Sequence, residues 1–444
     1  MHPWPTTDAI IGNPPFLGGK KLRSELGSKY AEKVYKAFPD VEGQPDFCVF
    51  WFRKASDSLG EKTRAGLVGT NSITQVSGRR ASLDYVVNHG GIIHNAVSTQ
   101  EWSGEAAVHV SIVNWSRQEP RRRILDEIEV PLISSSLKNE ISVASAQIIN
   151  ANKNCSFQSC ELGGKGFIIS EEEAQEWIKT DSKNSEVLKP MIDGKTLIHS
   201  YQKLDWVIDF NDMSIEKASG YKLPFQRVKE KVKPQKDINA SRLSQTYWWR
   251  FRRYTPNMRK ALEGLECYFA LPKIAKWMIF TSVNISILPC EANMVIASDD
   301  FLMLGILNSQ IHQLWVKSQC SSLGQTTRYT NTTCFETFPF PQNIKLDLAQ
   351  KIRNKAKELH QYRAEQIETK QWSITKLYNE YFHESASQLF KLHAQLDRLV
   401  MEAYGFKTEE DILTKLLALN LELAEREKQG LSIMGAKDFR HFTS

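Results

Sequence analysis

The chain has 444 residues and a formal net charge of +6, with 41% hydrophobic and 24% charged residues. This length predicts about three domains, and the composition is typical of a globular protein rather than a disordered one. No apolar run approaches the roughly 18 residues of a membrane span, and the N-terminal residues lack the basic start and apolar core of a signal peptide. The modest positive charge is compatible with a polyanionic partner and does not establish one.

The cysteines indicate a reducing environment. There are seven, an odd number, and they are scattered along the chain. Cys155 and Cys160 form the only close pair in sequence, and no second pair or His-x-x-x-His run completes a zinc site. We therefore expect free thiols, no bound metal and a cytoplasmic location.

The first apolar run ends abruptly in Asn13-Pro14-Pro15-Phe16. The two prolines fix φ and donate no amide hydrogen, so the chain leaves the strand in a stiff loop. In open α/β sheets, loops at the carboxyl ends of strands hold the ligand. The side-chain oxygen of Asn13 and the carbonyl oxygen of Pro14 are suited to accept hydrogen bonds from an exocyclic amino group, and Phe16 is suited to stack on the ring that carries it. These are the demands of methylating a base flipped out of its helix.

The rest of the N-terminal region reads as α/β. The patterns predict helices and strands in alternation: helices over 28–38, 46–59 and 78–89, and strands over 64–70, 91–96 and 107–113. The helix over 46–59 is rich in Phe and Trp and should pack on the sheet. Asn71 follows a strand directly, so it is expected on the same rim of the sheet as Asn13.

The tetrapeptide at Asn13 resembles the catalytic motif of S-adenosylmethionine-dependent adenine methyltransferases, and protein-glutamine methyltransferases carry a near-identical one. From about residue 5 to about residue 425 the chain is similar to the MmeI-like (type IIL restriction-modification) DNA methyltransferase family. The blocks that carry this resemblance are 16–20, 68–73, 102–106, 335–341 and 403–406. The resemblance implies a partial Rossmann-like class I methyltransferase sheet, S-adenosyl-L-methionine as cofactor and an adenine of double-stranded DNA as substrate.

The resemblance also implies a strand, helix, strand and strand before the catalytic loop, whereas twelve residues precede Asn13. That segment carries the glycine-rich turn and the acidic residue that hold the cofactor. The best alternative turn, over 163–166, follows no buried strand and precedes the acidic residues 171–173, so we interpret it as a surface turn. We therefore expect the cofactor-binding half to be absent from these residues. Either the gene is truncated, or the chain is one half of a split enzyme to which an N-terminal half or subunit supplies the cofactor site in trans. The cofactor-binding residues stay unassigned.

A Ser/Asn-rich boundary leads to a second domain, in which the patterns predict strands over 206–210, 268–271, 277–283 and 294–297. The resemblance implies that this is the target-recognition domain. Its segment 227–260 holds eleven Lys or Arg and two acids, with aromatic residues among the arginines. This mixture predicts a nucleic-acid surface; the other interpretation is a solvated basic face over a Trp-packed core. A second basic group surrounds Lys273. The predicted DNA contacts are Lys20, Lys21, Trp248, Trp249, Arg250, Arg252, Arg253, Lys276, Arg328 and Tyr329.

The predicted architecture is thus α/β for residues 1–145, α+β for the recognition domain 150–342, and all-helical for 343–444. The Phe/Pro alternation over 335–341 is expected to dock a domain rather than to carry chemistry. Three functions remain open: an adenine-specific DNA methyltransferase of a restriction-modification system, a DNA-recognition module without activity of its own, and a protein-glutamine methyltransferase. A protein-glutamine methyltransferase would have no use for the basic segment 227–260.

Overall fold

The structure is a computed structural model that describes residues 4–102, 108–139, 143, 145–199, 204–239, 245–320, 322–323, 326–407 and 411–441. The chain divides into two compact units. The first comprises residues 1–146 with the short segments 317–322 and 413–417, and the second comprises 147–316, 323–412 and 418–444. Each unit has its own hydrophobic core.

The first unit is built on a six-stranded mixed sheet in the order β1-β2-β4-β3-β5-β6. Its strands are β1 (Ala9–Gly12), β2 (Arg64–Thr70), β3 (Ile92–Glu101), β4 (His109–Ser116), β5 (Arg123–Leu125) and β6 (Ile128–Val130). β1 and β2 are parallel, with Gly12 opposite Leu67, whereas β4 is antiparallel to both β2 and β3. Among the described residues, β1 is therefore an edge strand.

The helices of the first unit include, in the part of the chain that the structure describes, α1 (Leu22–Leu26), α2 (Ser28–Ala37), α3 (Cys48–Asp57), α4 (Val76–Ala81) and α5 (Leu83–Asn88). The aromatic helix α3 packs on the sheet as predicted, because Phe52 stacks on Trp115 of β4 with the ring centroids 5.5 Å apart. The single helix predicted over 78–89 is wrong: the chain breaks at Ser82, whose hydroxyl donates to the carbonyl of Gly78 at 2.7 Å.

The remaining strands are short: β7 (Ser156–Gln158), β8 (Ile168–Ile169), β9 (Leu188–Ile192), β10 (Trp206–Ile208), β11 (Cys267–Pro272), β12 (Ile274–Ala275), β13 (Thr281–Asn284), β14 (Leu288–Pro289), β15 (Asn293–Ile296), β16 (Ser322–Leu323) and β17 (Thr326–Arg328). Two four-stranded sheets have the orders β14-β9-β10-β8 and β13-β11-β15-β7. The sequence predicted a longer strand ending at Val283. Its first half is not a strand, because the backbone of Phe280 bonds instead to the side-chain amide of Asn308, at 2.9 and 3.1 Å.

Twelve further helices lie within the described residues: α6 (Glu171–Thr180), α7 (Gly194–His199), α8 (Ile215–Ser219), α9 (Lys222–Lys231), α10 (Lys233–Asn239), α11 (Pro256–Leu262), α12 (Phe301–Asn308), α13 (Gln310–Gln319), α14 (Leu346–Lys370), α15 (Ile374–Tyr381), α16 (Gln388–Tyr404) and α17 (Ile412–Lys428). The C-terminal region is thus helical, as predicted. Among the described residues, no helix combines the length and apolarity required to cross a membrane.

The Phe/Pro segment 335–341 is packed inside the second unit. Phe335, Phe338 and Phe340 are buried. The Tyr404 hydroxyl donates to the carbonyl of Pro339 at 2.9 Å, and the Asn420 amide donates to that of Thr337 at 2.7 Å. α16 and α17 therefore both bind the backbone of this segment within the second unit, and its role in docking a separate domain stays a prediction.

Candidate active site and nucleic-acid interface

The Asn-Pro-Pro-Phe loop begins where β1 ends. Because β1 and β2 are parallel, the carboxyl ends of both strands lie on the same rim of the sheet. Asn13 and Pro15 are exposed on this rim, Pro14 is buried and Phe16 is half-buried. The loop therefore lies at the surface of the first unit, with one proline anchoring it and the asparagine amide accessible.

Phe16 is one side of an aromatic corner. Its ring meets that of Trp102 edge to face, with the centroids 5.4 Å apart and the planes at 85°. Trp102 follows β3, and its backbone N–H donates to the carbonyl of Val108 at 2.9 Å. Sequence reasoning used Trp102 only as part of a family block and missed it as a site residue. The rest of that block, 103–106, lies outside the described residues.

A second segment holds the far end of the loop. The backbone N–H of Phe47 donates to the carbonyl of Leu17 at 2.8 Å. A Cβ on Gly19 would overlap the backbone carbonyls of Gln44 and Pro45, so this close approach requires glycine. The loop is therefore fixed at both ends: by Pro14 at its start and by backbone contacts at Leu17 and Gly19.

Polar groups at the end of β2 converge on Asp46. One carboxylate oxygen of Asp46 accepts hydrogen bonds from the hydroxyls of Thr70 and Ser72, at 2.6 and 2.7 Å. Asn71 lies between those two residues, but its side chain binds the hydroxyls of Thr99 and Ser111 on β3 and β4. Asp46 also escaped sequence reasoning, since a single acid before an apolar helix reads as an ordinary helix start.

A cavity of about 410 Å³ adjoins the loop on the outer side of β1. Its lining includes Trp4, Trp51 and the loop residues 13–15. Ile11 is 85% exposed on the same strand, an unusual position for an isoleucine in a parallel strand, which is ordinarily buried on both sides.

The glycine-rich segment 163–166 is not shaped to hold a cofactor. Gly163 has a positive φ of 72°, and a Cβ on Gly166 would lie 2.6 Å from the Cβ of Lys231. A 3-10 turn (Lys165–Phe167) and β8 follow it rather than a helix opening on a phosphate. Lys231 and Val232, at the end of α9, fill the space beside this turn.

Several of the predicted DNA contacts belong to the core. Trp248 and Trp249 are 8% and 6% exposed, and Tyr329 is fully buried. The Trp249 ring nitrogen and the Arg250 guanidinium both donate to the carbonyl of Met213, at 2.9 Å for each closest contact. This corrects the expectation from the sequence, because a ring enclosed in the core presents no face to a base. Trp248, Trp249 and Tyr329 therefore belong to the core, whereas Arg250 is half-buried and its contact with DNA stays a prediction.

Other members of the basic segment are also structural. Arg259 forms a two-pronged ion pair with the buried carboxylate of Asp209, at 2.7 and 3.1 Å, and Lys236 is buried. Arg227 pairs with Glu173 at 3.3 Å. Arg242 lies outside the described residues. The interpretation of the whole segment as one DNA surface is therefore wrong for these residues, and the Trp-packed core is the better description of its apolar side.

The remaining candidates are exposed. Lys20 and Lys21 follow the Asn-Pro-Pro-Phe loop after three intervening residues, and Lys276 and Arg328 lie at the surface of the second unit. Arg252 and Arg253 are exposed as well, and both pair with Glu161. Among the described residues, no group of three His, Cys or carboxylate side chains is placed to hold a metal ion, and none of the seven cysteines forms a disulfide.

A sheet with parallel strands ending in Asn-Pro-Pro-Phe, followed by a separate mixed domain and a helical region, defines the class of DNA methyltransferases that carry a target-recognition domain. Comparison with protein families agrees. Residues 6–126 match the model described as the MmeI DNA-methyltransferase domain, and residues 138–342 match that of the MmeI target recognition domain. The chain belongs to the MmeI family.

Two individual relatives bear on the fold and extent of the chain. It is 24% identical over 444 residues to DNA methyltransferase A of Bacillus subtilis (strain 168), covering 94% of this chain and 48% of that protein. It resembles the solved structure of the type IIL restriction-modification enzyme MmeI in complex with DNA, with a TM-score of 0.72 and 19% identity over 94% of this chain and 57% of that one. The chain thus spans about half the length of these relatives.

Proposed function

We propose that this chain supplies the base-binding loop and the target-recognition part of a DNA methyltransferase that modifies the exocyclic amino group of adenine within a restriction-modification system. The observation that carries the proposal is the exposed Asn13 at the carboxyl end of β1, set beside the corner of Phe16 and Trp102. Double-stranded DNA is the partner, and the recognition sequence is not assigned.

In this proposal the loop binds an adenine that has been flipped out of its helix. The side-chain oxygen of Asn13 and the carbonyl oxygen of Pro14 accept the two hydrogens of the amino group, which directs its lone pair away from the loop. Phe16 stacks on the purine, and these contacts offset the few kcal/mol that unstacking costs. The gain comes from positioning and electrostatics, so no nucleophilic side chain is needed.

S-adenosyl-L-methionine supplies the methyl group in this proposal. The described residues fit the base side of such a site and offer no turn to hold the cofactor. We propose that strands outside these 444 residues, supplied in cis or in trans, pair with the unpaired side of β1 and hold the cofactor. The exposure of Ile11 supports this pairing. The chain alone is then expected to bind S-adenosylmethionine no better than millimolar, and a tight 1:1 calorimetric titration would contradict this.

Methyl transfer to unmethylated DNA, with the chain joined to its cofactor-binding part, tests the base-binding loop. Asn13→Ala removes the acceptor and is expected to abolish transfer while duplex binding stays nearly intact. Asn13→Asp keeps an oxygen at the same place and is the matched control, with measurable transfer retained. Survival of full transfer in Asn13→Ala would show that the assignment of Asn13 is wrong.

A second candidate is a DNA-recognition module that has no activity of its own, and the unpaired edge of β1 in the described residues favours it. Filter binding across a salt series, combined with mass spectrometry of the methylated product, separates the candidates. Both DNA functions predict affinity that falls steeply as salt rises, and only the enzyme yields methylated adenine. A product on protein glutamine with salt-insensitive DNA binding would reject both.

A further inference from the structure

The register of two short strands fixes Lys273 in the second unit. Lys273 immediately precedes β12, and Ile274 of β12 lies opposite Arg328 of β17. The backbone N–H of Lys273 donates to the carbonyl of Ala292 at 2.7 Å, and its carbonyl accepts from the N–H of Tyr329 at 2.9 Å. Lys273 is thus held next to Arg328 by main-chain hydrogen bonds on both sides.

The arginines of the basic segment reach the same place from another part of the chain. Arg253 is anchored by its own bonds: two guanidinium nitrogens donate to the carbonyl of Ser159 at 3.3 and 3.2 Å. Burial lowers the pKa of Lys273, and the positive charges of Arg328 and Arg253 lower it further. Gln158, whose side-chain oxygen lies 3.5 Å from the Lys273 ammonium, lines the same cavity as Arg253, so the two basic groups that the sequence placed apart form one cluster.

This cluster borders a cavity with both apolar and polar residues in its lining. The cavity measures about 560 Å³, and its lining includes Gln158, Arg252, Arg253 and Asn331. The side-chain oxygen of Gln158 lies 3.5 Å from the Lys273 ammonium. Glu161, which pairs with both arginines, provides one negative charge against four positive ones.

Like charges held together by the backbone repel one another, and an anion placed among them relieves that repulsion. A DNA phosphate carries one negative charge and bare oxygen acceptors, which suit both an ammonium and a guanidinium. We propose that Lys273, Arg253 and Gln158 form a phosphate-binding site that grips the DNA backbone. Lys273 contacts a phosphate oxygen, Arg253 supports it, and the Gln158 amide donates to the same group. This site rests on the proposed function, since it takes DNA as the partner.

The assignment to phosphate rather than to a base edge has a chemical reason. An ammonium is a compact point charge without the planar fork that reads guanine. Arg253, which has such a fork, already uses two of its nitrogens on Ser159. A phosphate contact also predicts a uniform effect on all sequences, whereas a base contact predicts a sequence-dependent one.

The test is the salt dependence of duplex binding by the full chain, measured by fluorescence anisotropy on labelled duplexes of several sequences. Removing one phosphate contact makes the slope of log K against log salt shallower by about 0.9. When the salt concentration rises from 50 to 200 mM, the factor by which DNA affinity falls should therefore be about 3.5 times smaller for Lys273→Met than for the wild type. Lys273→Arg keeps the charge and is expected to keep the slope. Lys179→Met, at an exposed lysine of α6, is the control and should behave as wild type.

Each outcome decides one point. An unchanged slope for Lys273→Met overturns the phosphate site while leaving the proposed function in place. A loss confined to one sequence overturns it in favour of base reading. Absence of steep salt dependence in the wild type refutes the proposed function itself. A Lys273→Met variant that melts at the wild-type temperature with a shallower slope on every duplex supports the site, because a merely structural role would not change the salt slope.

Discussion

The buried lysine of α10 allows a sharp prediction about stability. Lys236 is 2% exposed; its ammonium donates to the carbonyl of Arg250 at 2.6 Å and lies 5.3 Å from the centre of the Phe167 ring. Burial lowers the pKa of Lys236 from 10.5 to about 8. Folding therefore disfavours the charged form, and the penalty is fully present below pH 8. It fades as the pH rises through the interval from about 8 to 10.5.

The size of this penalty follows from the same two values. Each tenfold difference in proton affinity corresponds to about 1.4 kcal/mol, so the penalty at pH 7 is roughly 3 kcal/mol. At pH 10 it falls below about 1 kcal/mol. Lys236→Met removes the charge but leaves the Arg250 carbonyl without its donor, which costs about 1 kcal/mol. The variant should be about 2 kcal/mol more stable than wild type at pH 7, and nearly equal to it at pH 10.

Urea unfolding of both proteins at the two pH values measures this difference, provided that the dependence on urea stays the same. The control is Lys229→Met, at an exposed lysine of α9 in the same basic segment, for which the difference from wild type should not change with pH. If the stability difference between Lys236→Met and wild type is the same at pH 7 and pH 10, Lys236 does not carry a desolvated charge in the folded protein, and the reasoning fails.

Two further predictions concern the ion pair and the loop. Arg259→Met leaves the buried carboxylate of Asp209 without its partner and should lower the free energy of unfolding by about 3–5 kcal/mol. Adding Asp209→Asn should recover part of that loss, as measured by urea unfolding. If nothing is recovered, lost packing rather than the unpaired charge is responsible. Gly19→Ala forces the Asn-Pro-Pro-Phe loop away from Gln44 and should therefore reduce methyl transfer. Gly18→Ala should not reduce it, because its Cβ would meet Asp46 at an ordinary contact distance of 3.6 Å. Equal activity of the two glycine variants would contradict the inference that the close approach at Gly19 holds the loop in place.

The elements best predicted from the sequence are those whose patterns are local. β2 runs from Arg64 to Thr70 as predicted, and α2 differs by one residue, because periodicity and turn residues act over a few positions. The strand expected to end at Val283 was wrong in its first half, because the side chain of Asn308 takes the backbone bonds of Phe280. Such competition depends on a residue from another element, and no local pattern records it.

The basic segment illustrates why a surface is harder to predict than an element. Neighbouring residues there have opposite environments: Trp249 and Phe251 enter the core, whereas Arg252 and Arg253 remain exposed. Composition alone fits both a DNA surface and a packed core, and the division between them is made by contacts such as that of Trp249 with Met213.

The loop at Asn13 could be predicted from the sequence, whereas the cluster at Lys273 could not. The loop is predictable because its chemistry and its stiffness are both determined by consecutive residues. The cluster depends on the pairing of β12 with β17 and on the anchoring of Arg253 to Ser159, so its members are distant in sequence and no motif unites them. In the proposed function, phosphate contacts set position and affinity while the loop binds a single base, so a change at Lys273 should weaken DNA binding without altering methyl transfer at the Asn13 loop. A change at Asn13 should do the reverse.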